Sequence, residues 1–111
     1  MSIATRAVPT VTFKGASDRT YTLWVYELGT DFDPNQPAVY VVMREYSPEQ
    51  YVVIYIGQTE DLAARFEDHH KRQCMARHQA NVIAVRVERD EAERLAIEND
   101  LIVAYNPPCN G

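Results

Sequence analysis

No apolar run in the chain approaches the roughly 18–20 residues that a bilayer-spanning helix needs. The opening MSIATRAVPT has no continuous apolar stretch either, so it does not read as a secretory signal. Cysteine is scarce: only Cys74 and Cys109 occur, too few for a disulfide framework. Both are expected as ordinary thiols not bonded to each other, in a reduced, cytoplasmic compartment. Positive charge is also in deficit. The formal net charge is −5, whereas a protein that holds nucleic acid by charge alone is usually basic. Internal repeats and low-complexity segments are absent. What is present is 111 residues, 46% of them apolar and 24% charged, which suits one small domain with a real core.

The charge is uneven. Residues 62–78 carry Arg65, Lys71, Arg72 and Arg77 against Glu67 and Asp68, a local +2, so the rest of the chain sums to −7. All three histidines, His69, His70 and His78, lie in the same stretch. One face is therefore far less acidic than the average.

The pattern of elements is mixed. Residues 1–9 read as a loose terminus. VTF and YTLWVYEL are strand-like runs joined by turn residues Gly15 to Asp18, an N-terminal hairpin within 10–30. The second run is apolar on both sides, so both its faces should be covered. GTDFDPNQP is a loop. AVYVVMREY (38–46) and QYVVIYIG (50–57) are rich in Val, Ile and Tyr and should pair as a hairpin of two central strands. Residues 60 to 76 read as one helix, with Thr59 as its N-cap and Leu62 and Phe66 facing the core. NVIAVRVER (81–89) alternates as a strand. DEAERLAIENDLIVAY (90–105) begins like a capping box and is apolar nearly all round from Leu95, which predicts a mostly buried helix stopped by Pro107 and Pro108.

Several polar residues ask for an explanation. Glu98 shares its helix stripe with Leu95, Leu101 and Ile102, and a carboxylate there costs several kcal/mol unless partnered. It is either a salt-bridged or edge residue, or a metal ligand or base in a cleft. Arg65 and His69, four apart, would share a helix face, with Asp61 in reach of Arg65. An ordinary surface pair is one reading; a guanidinium aimed at phosphate oxygens is the other. Tyr40 and Tyr55 taken alone are ordinary half-buried strand tyrosines. His70, Cys74 and His78 have the spacing of donors on one helix, but three donors from one helix make poor tetrahedral geometry, and no CxxC supplies the rest. An amphipathic helix edge is the expected outcome there, without zinc.

The order of these residues resembles the GIY-YIG nuclease family. AVY precedes YIGQTEDLAAR, with Arg65 ten residues past Tyr55; His69, Glu98 on a late helix and PPCN follow. The resemblance covers residues 38–110, about two-thirds of the chain. It implies an α/β fold, a small antiparallel sheet packed by α-helices, with a catalytic core over 36–111 and the N-terminal hairpin as an extension within a single domain. Residue by residue it implies that Tyr40 and Tyr55 are the motif tyrosines, with Ala38 in place of the family glycine. Gly57 would allow a sharp turn into the helix. Arg65 and His69 would be catalytic, and Glu98 would hold one Mg²⁺ or Mn²⁺. Asn110, ahead of Asn106, would brace the site, with Lys71 and Arg72 near the substrate. The implied activity is metal-dependent hydrolysis of phosphodiester bonds in nucleic acid, DNA ahead of RNA. A homodimer or targeting protein would make up for the weak general affinity of an acidic module. Two rivals stay open: a catalytically silent module of the same fold that binds nucleic acid or a protein, and a small structural protein. The discriminating geometry is convergence of Tyr40, Tyr55, Arg65 and Glu98 on one solvent-open cleft.

Overall fold

The computed structural model describes residues 9–111. The terminal segment 1–8, which the sequence reads as loose and not a signal, lies outside the described residues. Five strands and three helices follow in order: β1 Thr10–Lys14, β2 Thr20–Glu27, β3 Ala38–Ser47, β4 Gln50–Thr59, α1 Leu62–Glu67, α2 Arg72–Arg77, β5 Val82–Val87 and α3 Glu91–Tyr105. A 3-10 turn, Pro108–Asn110, ends the chain's structure. The strands form one antiparallel sheet in the order β1-β2-β5-β3-β4.

This is the α/β architecture expected, with informative departures. The N-terminal hairpin is not an appendage: β2 pairs with β5, so the extension continues the sheet. β3 and β4 do pair as a hairpin, but only β3 is central. β4 is an edge strand, and β5 takes the place between β3 and β2. On β2, Tyr21, Leu23 and Val25 are buried; on the other face Trp24 is 51% exposed while Tyr26 and, just after the strand, Leu28 are half-buried, so the second face is covered only toward the end of the strand.

Two apolar layers sandwich the sheet. Leu23, Val39, Val41 and Ile56 face Ile97 and Leu101 of α3. Tyr40, Val42, Ile54, Tyr55 and Ile83 face Leu62 of α1, Met75 of α2 and Cys109 of the 3-10 turn. A bulge decides which layer Ile54 joins. Val42 pairs with Tyr55 and Met43 with Val53, so Ile54 is left over. Tyr55 shares the face of Tyr40 through the regular ladder, and the extra residue breaks the strict alternation so that Ile54 joins the same layer.

The expected helix over 60–76 is two short helices with a break at Asp68–Lys71. Its cap is Asp61, whose carboxylate accepts from the Ala64 amide at 3.2 Å; Thr59 belongs to β4 and bonds to the Asp61 backbone. In α3 the Asp90 carboxylate accepts from the Ala92 amide at 3.0 Å, but Glu93 turns outward to Arg19 instead of closing a capping box. Burial of α3 is also narrower than expected. Arg94, Ile97 and Leu101 are buried, whereas Leu95 and Val103 are exposed, because the helix lies on one face of the sheet with nothing over its far side. Asn106 in the left-handed conformation and the two prolines end it.

Candidate active site

The site is built around the edge strand β4. Tyr40 pairs with Gly57 across the β3–β4 ladder. A Cβ added at Gly57 would meet the Tyr40 hydroxyl oxygen at 2.5 Å and the Tyr55 ring at 2.9 Å. Glycine is required here for space. The expected sharp turn into the helix is not the reason, since Gly57 is inside β4, which continues to Thr59. The two tyrosine rings lie 6.0 Å apart, with Tyr40 1% exposed and Tyr55 8%.

The break between α1 and α2 delivers His69. The residue is not one helical turn beyond Arg65 on a shared face; it lies in the connection and is buried against Tyr40, Tyr55 and Phe66. Its Nε2 is 2.7 Å from the Tyr40 hydroxyl. Its Nδ1 accepts the Lys71 backbone N–H at 3.0 Å. An accepting Nδ1 is unprotonated, so the single proton of the neutral ring sits on Nε2 and is donated to the Tyr40 oxygen. Burial lowers the His69 pKa to about 4, with His70, Arg65, Arg72 and Lys71 acting in the same direction. The ring is therefore neutral at pH 7. Burial likewise raises the Tyr40 pKa far above its ordinary value; Tyr55 and Glu98 add to this and Arg65 opposes it. Tyr55 is raised by burial and by Glu98, against Arg65.

Glu98 is half-buried on α3, as a carboxylate between Leu101 and Ile102 should be only if the site lies at an edge. The Ile56 N–H and C=O point outward from β4, since the Asn110 side chain takes both, at 2.9 and 2.8 Å. Gln58, two residues on, presents its N–H to the same outer side. Burial raises the Glu98 pKa, while the Gln58 backbone amide and Arg65 lower it. Helix α3 covers one face of the sheet and α1 and α2 the other. The exposed edge of β4 is where charge from the two sides meets. Arg65 has no ion-pair partner within 4 Å among the described residues, and the Asp61 carboxylate is spent on the cap.

Arg94 was not singled out by the sequence. It is 2% exposed one turn before Glu98. Its guanidinium donates to the Gln58 side-chain oxygen and to the Glu88 and Arg89 carbonyls, each at 3.1 Å, and lies 3.9 Å from Glu91. The signal available was an arginine at i−4 from Glu98 in an otherwise apolar stripe.

Of the remaining expected residues, Lys71 supplies the backbone amide to His69, and Arg72 donates to the Glu67 carbonyl at 2.7 Å, closing the α1–α2 break. Asn110 does brace β4, and Asn106 caps α3. The cavities flank α1. One of about 600 Å³ runs from Leu28 and Phe32 to Phe66, His69 and Arg72. Another, about 520 Å³, holds Arg65, Asp61 and Arg94. Tyr40, Tyr55 and Glu98 line neither; Tyr40 and Tyr55 are buried, and Arg65 and Glu98 are half-buried.

The cysteines correct another expectation. Cys74 and Cys109 form a disulfide, with 5.9 Å between their Cα atoms. The break before α2 swings Cys74 under the 3-10 turn, a proximity that a continuous 60–76 helix did not suggest. The His70, Cys74, His78 triad does not assemble. The His70 ring stacks on His69 at 4.9 Å, and Cys109 joins Cys74 and His78 in its place. Among the described residues, no helix is long and apolar enough to cross a membrane.

No family model matches the chain. Two solved structures do. Both are of the GIY-YIG N-terminal endonuclease domain of UvrC from Thermotoga maritima, each a tyrosine-to-phenylalanine point mutant bound to its catalytic divalent cation. They are 26% and 25% identical to this chain, each with a TM-score of 0.56 over 70% of this chain and 86% of the other. With the five-stranded antiparallel sheet and its flanking helices, the chain has the fold of the GIY-YIG endonuclease domains.

Proposed function

We propose that the protein is a metal-dependent endonuclease that hydrolyses phosphodiester bonds, in DNA ahead of RNA. The observation that carries this reading is that the charges of Arg65 and Glu98 both bear on the buried Tyr40 and Tyr55 hydroxyls, which themselves stand beside one another, on a fold shared with endonuclease domains. A half-buried carboxylate with no cationic partner within 4 Å among the described residues suits a hard divalent ion whose remaining ligands are water and substrate oxygens. Glu98 would hold it, as Mg²⁺ or Mn²⁺. When bound, the ion supplies charge neutralisation at the scissile phosphate and leaving oxygen.

The protein's own groups do the rest. Arg65 neutralises charge that builds on the phosphate in the transition state. Tyr55 orients the phosphate. Tyr40 keeps its proton at neutral pH, so it assists as a relay: its oxygen accepts a proton from the attacking water only as its own proton leaves toward Tyr55 or a phosphate oxygen. The His69 Nε2–H steadies the Tyr40 oxygen throughout. Arg94 positions α3, and with it Glu98, against β4, while Asn110 fixes β4 from its other side. In this reading 36–111 is the catalytic core and 10–30 an extension of the same domain. The protein acts in the cytoplasm, and targeting comes from a second copy or a partner protein.

One observation favours a silent nucleic-acid- or protein-binding module of this fold: Tyr40 is enclosed, at 1% exposure. Incubation with supercoiled plasmid and with branched DNA, with and without Mn²⁺, separates the two. Mn²⁺-dependent nicking supports the nuclease. Binding without cleavage under every metal condition supports the silent module.

A further inference from the structure

The pairing of Cys74 with Cys109 does not explain why a third ligating side chain stands beside it. The two sulfurs and a ring nitrogen of His78 all lie within 4.8 Å of one another. Cys74 and His78 are four apart at the end of α2, so both side chains leave the same helix face. Cys109 comes from the 3-10 turn, an independent direction. Three donors from two elements remove the objection that one helix cannot wrap a tetrahedral ion. His78 is exposed and Cys74 half-buried, which leaves a fourth position open to water, and no hydrogen bond to a described residue engages the His78 ring.

We propose that Cys74, His78 and Cys109 form a zinc site when the disulfide is reduced. Two thiolates and one imidazole are the donor set that selects zinc over hard ions such as magnesium. Typical zinc–sulfur and zinc–nitrogen distances of about 2.0–2.3 Å need only small side-chain rotations from this spacing. The chemistry balances with a thiol reductant. Two small-molecule thiols convert the disulfide to two protein thiols and leave as one small disulfide. Zn²⁺ then displaces one proton from each cysteine, and His78 binds through its unprotonated nitrogen.

The ion takes over the structural task of the covalent bond. Cys109 precedes Asn110, whose side chain holds both backbone groups of Ile56 between Tyr55 and Gly57. Cys74 lies in the helix that follows His69 and Lys71. Either linkage ties these two supports together, the disulfide under oxidising conditions and zinc under reducing ones.

The test is cobalt substitution. The full chain is reduced with a phosphine, desalted without oxygen and titrated with Co²⁺. The expected result is one equivalent bound, with an intense near-ultraviolet thiolate-to-cobalt band and the visible bands of a tetrahedral ion, both erased by Zn²⁺. The oxidised chain gives no such band. Cys74→Ser and Cys109→Ser lose it, and His78→Ala, an exposed substitution that leaves the core intact, binds at least about tenfold more weakly. Glu98→Gln retains it, which separates this site from the proposed catalytic cation. Zinc raises the melting temperature of the reduced chain. Absence of the thiolate band in the reduced wild type, or an undiminished affinity in His78→Ala, overturns the proposal.

Discussion

The Tyr40 hydroxyl occupies the space that a side chain on Gly57 would need, 2.5 Å from where its Cβ would sit. A single methyl group at Gly57 must therefore push Tyr40 off His69 or spread β3 from β4. Overpacking of this kind costs about 1–3 kcal/mol. Gly57→Ala is expected to melt lower than wild type and to lose cleavage activity. A thermal melt and a cleavage assay check this; an unchanged melting temperature would mean that the hydroxyl is not packed there.

Protonation of His69 gives a pH signature. Its pKa in the fold is about 4, against about 6.5 in an unfolded chain. Between those values the unfolded state binds the proton and the folded state does not, so stability falls as pH drops from about 6.5 toward 4. Below about 4 that contribution is fully lost. His69→Gln cannot titrate, so the difference in melting temperature between it and wild type should shrink across this window. A constant difference from pH 7 to 4 would contradict the buried neutral imidazole.

Arg94 is the residue whose loss should uncouple structure from chemistry. Hydrogen bonds to a charged group contribute about 1.5–3 kcal/mol, and Arg94→Met removes several at once. The prediction is a clear drop in stability together with a slower rate that extra divalent metal only partly restores, because Glu98 is displaced and not deleted. Arg94→Lys should not rescue it, since one ammonium cannot reach the Gln58 side chain and two carbonyls together. Full activity in Arg94→Lys would show that charge alone matters.

Reduction supplies a fourth test. The disulfide spans a sequence separation of 35 residues, and cross-links of that reach typically stabilise by about 2–4 kcal/mol. In the absence of zinc, Cys109→Ser should unfold at correspondingly lower denaturant, with hydrogen exchange faster at Ile56, which Asn110 holds. No change on reduction would mean that the C-terminal turn is anchored by packing alone.

How far the sequence reaches can be read from these residues. The β-branched runs around Tyr40 and Tyr55 marked two paired strands, and the family resemblance carried by the residues from Tyr40 to Asn110 marked the fold. Three features depend on long-range packing more than on local pattern. The break at Asp68–Lys71 occurs where composition suits a helix, and it exists because Leu62 and Met75 must both reach the same sheet face. The edge position of β4 depends on β5 inserting between β2 and β3, a long-range choice. Arg94 looks like any helix arginine until Gln58, thirty-six residues away in sequence, is brought beneath it. Gly57 was singled out, but for a turn; its actual requirement for space appears only once Tyr40 is opposite.

The most direct test of the account is the rate of supercoiled-plasmid nicking in Mn²⁺ by purified wild type, Tyr40→Phe, Arg65→Ala and Glu98→Ala, alongside a melt of each. The account predicts metal-dependent nicking by wild type. Arg65→Ala should be slower by about 10²–10³, the usual loss for one transition-state donor. Tyr40→Phe should also be strongly impaired. Glu98→Ala should be inactive at any metal concentration, with all three variants folded and Glu98→Ala at least as stable as wild type at neutral pH, since it relieves a desolvated charge. Nicking by Glu98→Ala at the wild-type rate, or none by wild type with any divalent ion, would contradict the nuclease assignment.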